Sequence, residues 1–121
     1  MNIKKQLETI KDYYSPKIIG EVNDVFIKLV KIQGNKVPWH HHKNEDELFL
    51  IIKGELLFEI ENQDAFTMKE GDLFIVKKGI NHKVSSKKEC HLMLIENKSA
   101  LHTGNVINEI TKPIKNQNYN P

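Results

Sequence analysis

The sequence predicts an all-β fold, a sandwich or barrel with one short helix at its N-terminus. Two observations carry this. From residue 17 onward, runs rich in Ile, Val, Leu and Phe recur at short intervals, broken by Gly, Asn and Asp, a spacing typical of β-sandwiches and barrels. Before that point the apolar residues Ile3, Leu7, Ile10 and Tyr14 recur at helical spacing. A chain of 121 residues has room for one hydrophobic core. The expected organisation is an amphipathic helix over 1–16, a barrel over 17–96 and an extended C-terminal arm over 97–121.

Taken in order, the helix occupies residues 2–14 and ends before Pro16, because the residue preceding proline is pushed out of the helical region. Strands are expected at 17–21, 24–33, 36–41, 47–53, 55–61, 65–68, 72–77, 81–86 and 90–96. Gly34-Asn35, Gly54, Asn62-Gln63-Asp64, Gly71-Asp72 and Lys78-Gly79 supply the turns between them. In 55–61, Leu56, Phe58 and Ile60 share one face, and Glu59 and Glu61 lie on the other. Leu48 to Ile52 is apolar on both faces, so that strand needs a cover outside the barrel, either the N-terminal helix or a second subunit. The arm ends in NQNYNP and carries few apolar groups.

Composition narrows the function classes. Net charge is +2 and the lysines are scattered, with no arginine anywhere. A nucleic-acid partner is not expected, since arginine usually reads bases and phosphates. No apolar run approaches the roughly 20 residues of a membrane helix, and the N-terminus has no apolar signal region. Cys90 is the one cysteine, which excludes an intrachain disulfide and fits a cytoplasmic protein.

The chemistry concentrates in His40-His41-His42, Glu47 and His82. His40 and His42 are two residues apart, so on an extended strand they point the same way and His41 points the other. A turn over Lys43 to Asp46 resets the phase and lets Glu47 arrive from the next strand. His82 adds an imidazole from a distant segment. Three imidazoles and a carboxylate suit one divalent transition metal, Fe, Mn, Zn or Ni. Because histidine must be neutral to ligate, affinity is expected to fall as pH drops through roughly 6. Phe49 and Ile51 share the inward face with Glu47 and, with Leu56 and Phe58, are the expected walls of a small substrate pocket.

The other candidates have plainer readings. Glu45 and Asp46 read as solvated turn residues, His91 as packed or interface-facing, Cys90 as a small buried hydrophobe, and Trp39 as facing away from the ligands. His102 lies in the arm and has no assigned role. Tyr13, Tyr14 and Tyr119 are expected outside the barrel.

Residues 34–54, GNKVPWHHHKNEDELFLIIKG, match the first motif of the cupin superfamily position by position: Gly34, His40, His42, Glu47 and Gly54 all fall in place. Residues 71–86, GDLFIVKKGINHKVSS, match the second at Gly71, Gly79 and His82, with Lys77 and Ser86 departing from its Pro and Asn. The chain therefore resembles a small single-domain bacterial cupin of the mannose-6-phosphate isomerase-like group over residues 17–96. The resemblance implies a double-stranded β-helix, the cupin jelly-roll barrel, and a frequent homodimer. It also implies a metal held by His40, His42, Glu47 and His82. The function expected is a metal-dependent enzyme on a small polar metabolite, of isomerase, lyase or dioxygenase type. A non-enzymatic module that binds or senses a small molecule is the alternative.

Overall fold

The computed structural model describes residues 1–100 and Gly104. It has one short helix, α1 (Ile3–Glu8), and seven strands: β1 (Lys17–Val22), β2 (Val25–Gly34), β3 (Glu47–Lys53), β4 (Leu56–Ile60), β5 (Phe66–Met68), β6 (Leu73–Val76) and β7 (His82–Asn97). The pairing is antiparallel throughout. One sheet runs β1-β2-β7-β3-β6, and β4 pairs with both β5 and β7. Strand β7 holds the barrel together: its first residues pair with β4 and its second half lies between β2 and β3.

The helix starts where Asn2 caps it, its side chain accepting from Lys5 N–H at 3.0 Å. It is shorter than the predicted 2–14. The Thr9 hydroxyl donates to the Gln6 carbonyl at 2.7 Å and Lys11 Nζ to the Glu8 carbonyl at 3.1 Å. Side chains thus take up the last carbonyls in place of the next turn. The chain then folds back. Tyr14 adopts a positive φ of 57° and its N–H donates to the Lys31 carbonyl at 2.9 Å. Leu7 and Ile10 bury against Leu29, with Ile3, Ile19, Ile52 and Met93 around them. The helix is therefore one cover over the outer face of the sheet.

Two expected strands differ. Residues 36–41 form no strand, only a bridge between His40 and His82, because Pro38 has no N–H to donate. The expected strands 81–86 and 90–96 are one, the 16-residue β7. Its register shifts against β2 between Ile32 and Gly34, which absorbs the exposed Lys87, Lys88 and Glu89. Gly54 sits against that irregularity with φ +86°, and a Cβ there would lie 2.7 Å from the Glu89 carbonyl oxygen. Only glycine fits.

Alternation fills the interior. Phe49 and Ile51 of β3, Leu56, Phe58 and Ile60 of β4, and Val84, Cys90, Leu92 and Leu94 of β7 are all buried in one cluster. Phe58 is its centre, with ring centroids 5.1 Å from Phe49, 5.3 Å from Phe66 and 5.1 Å from Phe74. No helix among the described residues is long and apolar enough to cross a membrane.

Candidate metal centre

His40 and His82 are locked to each other by their backbones. His40 N–H donates to the His82 carbonyl at 3.0 Å and His82 N–H returns to the His40 carbonyl at 2.9 Å. Such a pair sends both side chains to the same face, and the two rings lie 4.3 Å apart. His42 is held by its carbonyl, which accepts from Gly79 N–H at 2.8 Å. Glu47 opens β3, opposite Val76 of β6 and Glu96 of β7. The turn before Glu47 is pinned by Asp46, which accepts from Lys78 N–H at 2.9 Å.

The four side chains converge. Their candidate ligand atoms all lie within 4.8 Å of one another, and all four residues are buried. His40 Nδ1 lies 2.7 Å from the Pro38 carbonyl and His82 Nδ1 lies 2.9 Å from the Ile80 carbonyl. A carbonyl only accepts, so each Nδ1 carries a proton and each ring turns its Nε2 inward. Both Nε2 atoms are buried without a hydrogen-bond partner. A buried polar atom is normally satisfied. A cation is the partner that two converging lone pairs and a carboxylate accept.

The electrostatics are uneven. Burial, then the neighbouring His82, lowers the His40 pKa to about 4, so that ring is neutral across the physiological range. Burial also works against a charge on His42, but its Nε2 donates to Glu47 Oε1 at 3.0 Å. That bond and the Glu47 charge outweigh burial and raise the pKa above its usual value. Burial would raise the pKa of Glu47, but the hydrogen bond from His42 and the close approach of His82 prevail and hold it well below the usual carboxylate range. His82 Nε2 lies 3.5 Å from the same oxygen. His42 and Glu47, with His40 and His82, are the residues that would hold a metal ion. The donor set therefore fits a divalent ion.

Of the expected wall residues, Phe49 lines a cavity of about 30 Å³ that reaches His40 and Glu47. Its other walls are Tyr14, Pro16, Val30, Ile32, Val37, Val84, Leu92 and Leu94. Ile51, Leu56 and Phe58 are packed in the core and do not line it. Tyr14 is inside rather than outside the barrel: it is 6% exposed and its hydroxyl donates to the Gln33 carbonyl at 2.6 Å. The turn after the shortened helix tucks it in. Its position at the end of the helical pattern, before Pro16, concealed this. Trp39 faces away from the ligands and lines an open surface cleft with Asn81, Glu59 and Glu61. His91 lies on the outer side, 2.6 Å from Glu89 Oε2. His102 lies outside the described residues, as does the arm beyond Ala100 apart from Gly104. The Gly104 backbone, φ +59°, rests on His40 and His41, so that a Cβ there would lie 2.6 Å from His40 Cδ2.

Lys28 and Glu96 also point inward and escaped the sequence reading. Both are fully buried, with Lys28 Nζ 2.9 Å from Glu96 Oε1. Alternation could have found them: Phe26, Lys28, Val30 and Ile32 share one face of β2, and Leu92, Leu94 and Glu96 share one face of β7.

Comparison with known proteins agrees with this fold. A family model described as Cupin domain matches residues 28–96. A cupin-2 domain containing protein from Shewanella frigidimarina NCIMB 400 superposes with a TM-score of 0.77 at 34% identity, covering 81% of this chain and 94% of that one. Protein NMB1881 from Neisseria meningitidis gives a TM-score of 0.73 at 31% identity, covering 81% and 98%. The Bacillus subtilis (strain 168) protein described as uncharacterized protein YdbB is 32% identical over 91 residues, 75% of this chain and 80% of that protein.

Proposed function

The chain belongs to the cupin family, and from that premise we propose that it binds one divalent transition metal per subunit through His40, His42, Glu47 and His82 and acts as a metal-dependent enzyme on a small polar metabolite. The observation that carries this is the pair of buried, unpartnered Nε2 atoms of His40 and His82 beside an ionised Glu47. Iron, manganese, zinc and nickel all suit such a donor set. A metal bound there supplies Lewis-acid polarisation of a carbonyl or enediol, or a place for dioxygen, so isomerase, lyase and dioxygenase chemistry are the reaction classes it supports. The residues of the chain do the rest. Pro38 and Ile80 fix the His40 and His82 tautomers through their carbonyls. Phe49, Val84, Leu92 and Leu94 keep bulk water from the inner faces of His40 and Glu47. The cavity beside those two residues admits only one small group, so a substrate presents a single carbonyl, hydroxyl or carboxylate to the centre.

A second reading is a non-enzymatic module that binds or senses a small molecule. One observation favours it: among the described residues, apart from His40 and Glu47, Tyr14 carries the one polar side-chain group on the cavity wall, and that hydroxyl is engaged with Gln33. Among the described residues no free acid or base stands there for proton transfer. We further propose a homodimer. The helix covers only part of the outer face, and Leu73 and Ile75 of β6, partners of Leu50 and Leu48 in the pairing with β3, remain 55% and 45% exposed. The buried cysteine is consistent with a cytoplasmic location.

The test is metal content by mass spectrometry on untagged protein, beside a His42→Ala/His82→Ala variant. About one metal per subunit in the native chain and none in the variant supports the site. An empty native chain that takes up no ion on reconstitution refutes it. Turnover of sugar phosphates, keto acids or β-dicarbonyl compounds by the loaded protein supports the enzyme. A ligand-induced rise in melting temperature without turnover supports the sensor. Light scattering that shows only monomer at micromolar concentration removes the dimer.

A further inference from the structure

Trp39 is the one tryptophan of the chain, and it is 42% exposed. Its indole forms one wall of an open cleft of about 520 Å³ on the outer side of the barrel, where Glu59, Glu61, Asn62, Gln63 and Asn81 also stand. That volume is in the range of small-molecule sites. Backbone hydrogen bonds hold the three contributing segments together. His40 N–H and the His82 carbonyl, 3.0 Å apart, join the segment of Trp39 to that of Asn81, and Glu61 N–H donates to the Asn81 carbonyl at 3.0 Å. Gln63 N–H donates to the Ile60 carbonyl at 3.1 Å and closes the turn. Asn62 at its tip takes a φ of 63°, a left-handed conformation in which asparagine is enriched. The bridge that turns His40 and His82 inward thus also builds this cleft on its other side, before any ligand arrives.

The polar groups on the wall are two carboxylates, three amides and an indole N–H, and none of these side chains bonds to another described residue. Together they ask for a particular ligand. Among the described residues no basic side chain lines the cleft, so a phosphate ester or carboxylate meets repulsion from Glu59 and Glu61. A simple cation suits the carboxylates but offers no acceptor to the amide and indole N–H groups. Hydroxyl groups donate and accept alike, and so match the whole set. The flat indole adds an apolar surface for the C–H face of a ring. Water fills these roles in an open cleft, and a ligand that displaces it must reproduce its hydrogen bonds.

We propose that the cleft is a binding site for a neutral pyranose, free or at the end of a glycan chain. The ring lies on Trp39, and its hydroxyls bond to the carboxylates and amides of Glu59, Glu61, Asn62, Gln63 and Asn81. The site shares no lining residue with the cavity that reaches His40 and Glu47 and needs no metal.

Trp39 supplies the readout, since no other indole contributes to the fluorescence. Untagged protein, with and without EDTA, is titrated with glucose, galactose, mannose, maltose, cellobiose and lactose. Glucosamine, glucose 6-phosphate and glycerol are the controls. The expected result is a saturable change in Trp39 emission at millimolar concentration of at least one neutral sugar, unaltered by EDTA and weaker or absent with the controls. A stronger response to a disaccharide than to its monosaccharide supports a chain end as the ligand, and an equal one a free sugar. In Glu61→Ala/Gln63→Ala, whose side chains are exposed and whose backbone bonds are kept, affinity should fall about tenfold or more. Saturation-transfer NMR should show sugar binding lost in Trp39→Ala. Any of four results overturns the inference: no response to any neutral sugar, a response matched by glycerol, a response to glucosamine alone, or native affinity in the double variant. A response abolished by EDTA places the sugar at the metal centre and also overturns it.

Discussion

Phe58 ties the packing of the barrel to the candidate site, and its removal tests both. The side chain is fully buried and touches three other phenylalanine rings. Its ring also lies nearly parallel to His82, 5.8 Å away at an interplanar angle of 12°. Phe58→Ala removes about 150–250 Å² of buried aromatic surface, worth roughly 4–6 kcal/mol at about 25 cal/mol per Å². The unfolded chain buries part of that area already, and comparable core truncations cost about 3–5 kcal/mol. The expected loss is therefore about 4 kcal/mol, a large share of the roughly 5–15 kcal/mol that holds a domain together. At about 4 °C per kcal/mol for a domain of this size, the metal-free melting point falls by roughly 15 °C. The milder Phe58→Leu keeps most of the volume and costs under about 1.5 kcal/mol, but it removes the plate against which His82 rests. Metal affinity should weaken in that variant while the fold survives. Urea melts of metal-free protein measure the stability term. A loss below about 1 kcal/mol for Phe58→Ala would refute the reasoning that this ring is the keystone of the core, and unchanged metal affinity in Phe58→Leu would sever it from the site.

Further outcomes follow from the same geometry. Metal affinity should decline as pH falls. The His42 pKa lies above its ordinary value, so an ion must displace a proton there from near neutrality downward, whereas His40, lowered to about 4, starts to compete only in strong acid; affinity that is flat between pH 7.5 and 5 counts against this. Burial pushes the Cys90 thiol up to about 12, so its thiolate is scarce and iodoacetamide at pH 8 should leave the folded chain unmodified; rapid alkylation without denaturant contradicts it. Gly54→Ala should destabilise by more than the roughly 1 kcal/mol of its backbone strain, because the new Cβ meets the Glu89 carbonyl, and a native denaturation midpoint would count against that clash. Gly104→Ala should lower metal retention more than stability, since its Cβ would press on His40, and full metal content after dialysis would show that His40 tolerates the displacement.

The legible parts of the fold were those in which side-chain period and turn chemistry agree. Leu56, Phe58 and Ile60 alternate with Leu57, Glu59 and Glu61 between Gly54 and the Asn62 turn, and they form a strand with that face inward. The convergence of His40, His42, Glu47 and His82 was legible for the same reason, since His40 and His42 are in phase on extended backbone and the turn at residues 43–46 is polar. Segment 36–41 misled because Val37 and Trp39 look like strand residues, while Pro38 denies the ladder a donor and only His40 pairs. The junction inside β7 misled in the other direction. Lys87, Lys88 and Glu89 look like a turn by composition, yet the strand continues through them as an irregularity at the barrel edge.

Lys28 and Glu96 were missed for a different reason. Each is one charged residue in an alternating apolar series, and composition places such residues on the surface, where most lysines and glutamates belong. What puts them inside is period alone: shifting either strand by one residue would expose Leu92, Leu94, Val30 and Ile32 together. The apolar majority on the inner face of each strand therefore forces the charged residue in phase with it inward, and Lys28 and Glu96 meet there 2.9 Å apart. In the β3–β7 ladder Glu96 lies directly opposite Glu47.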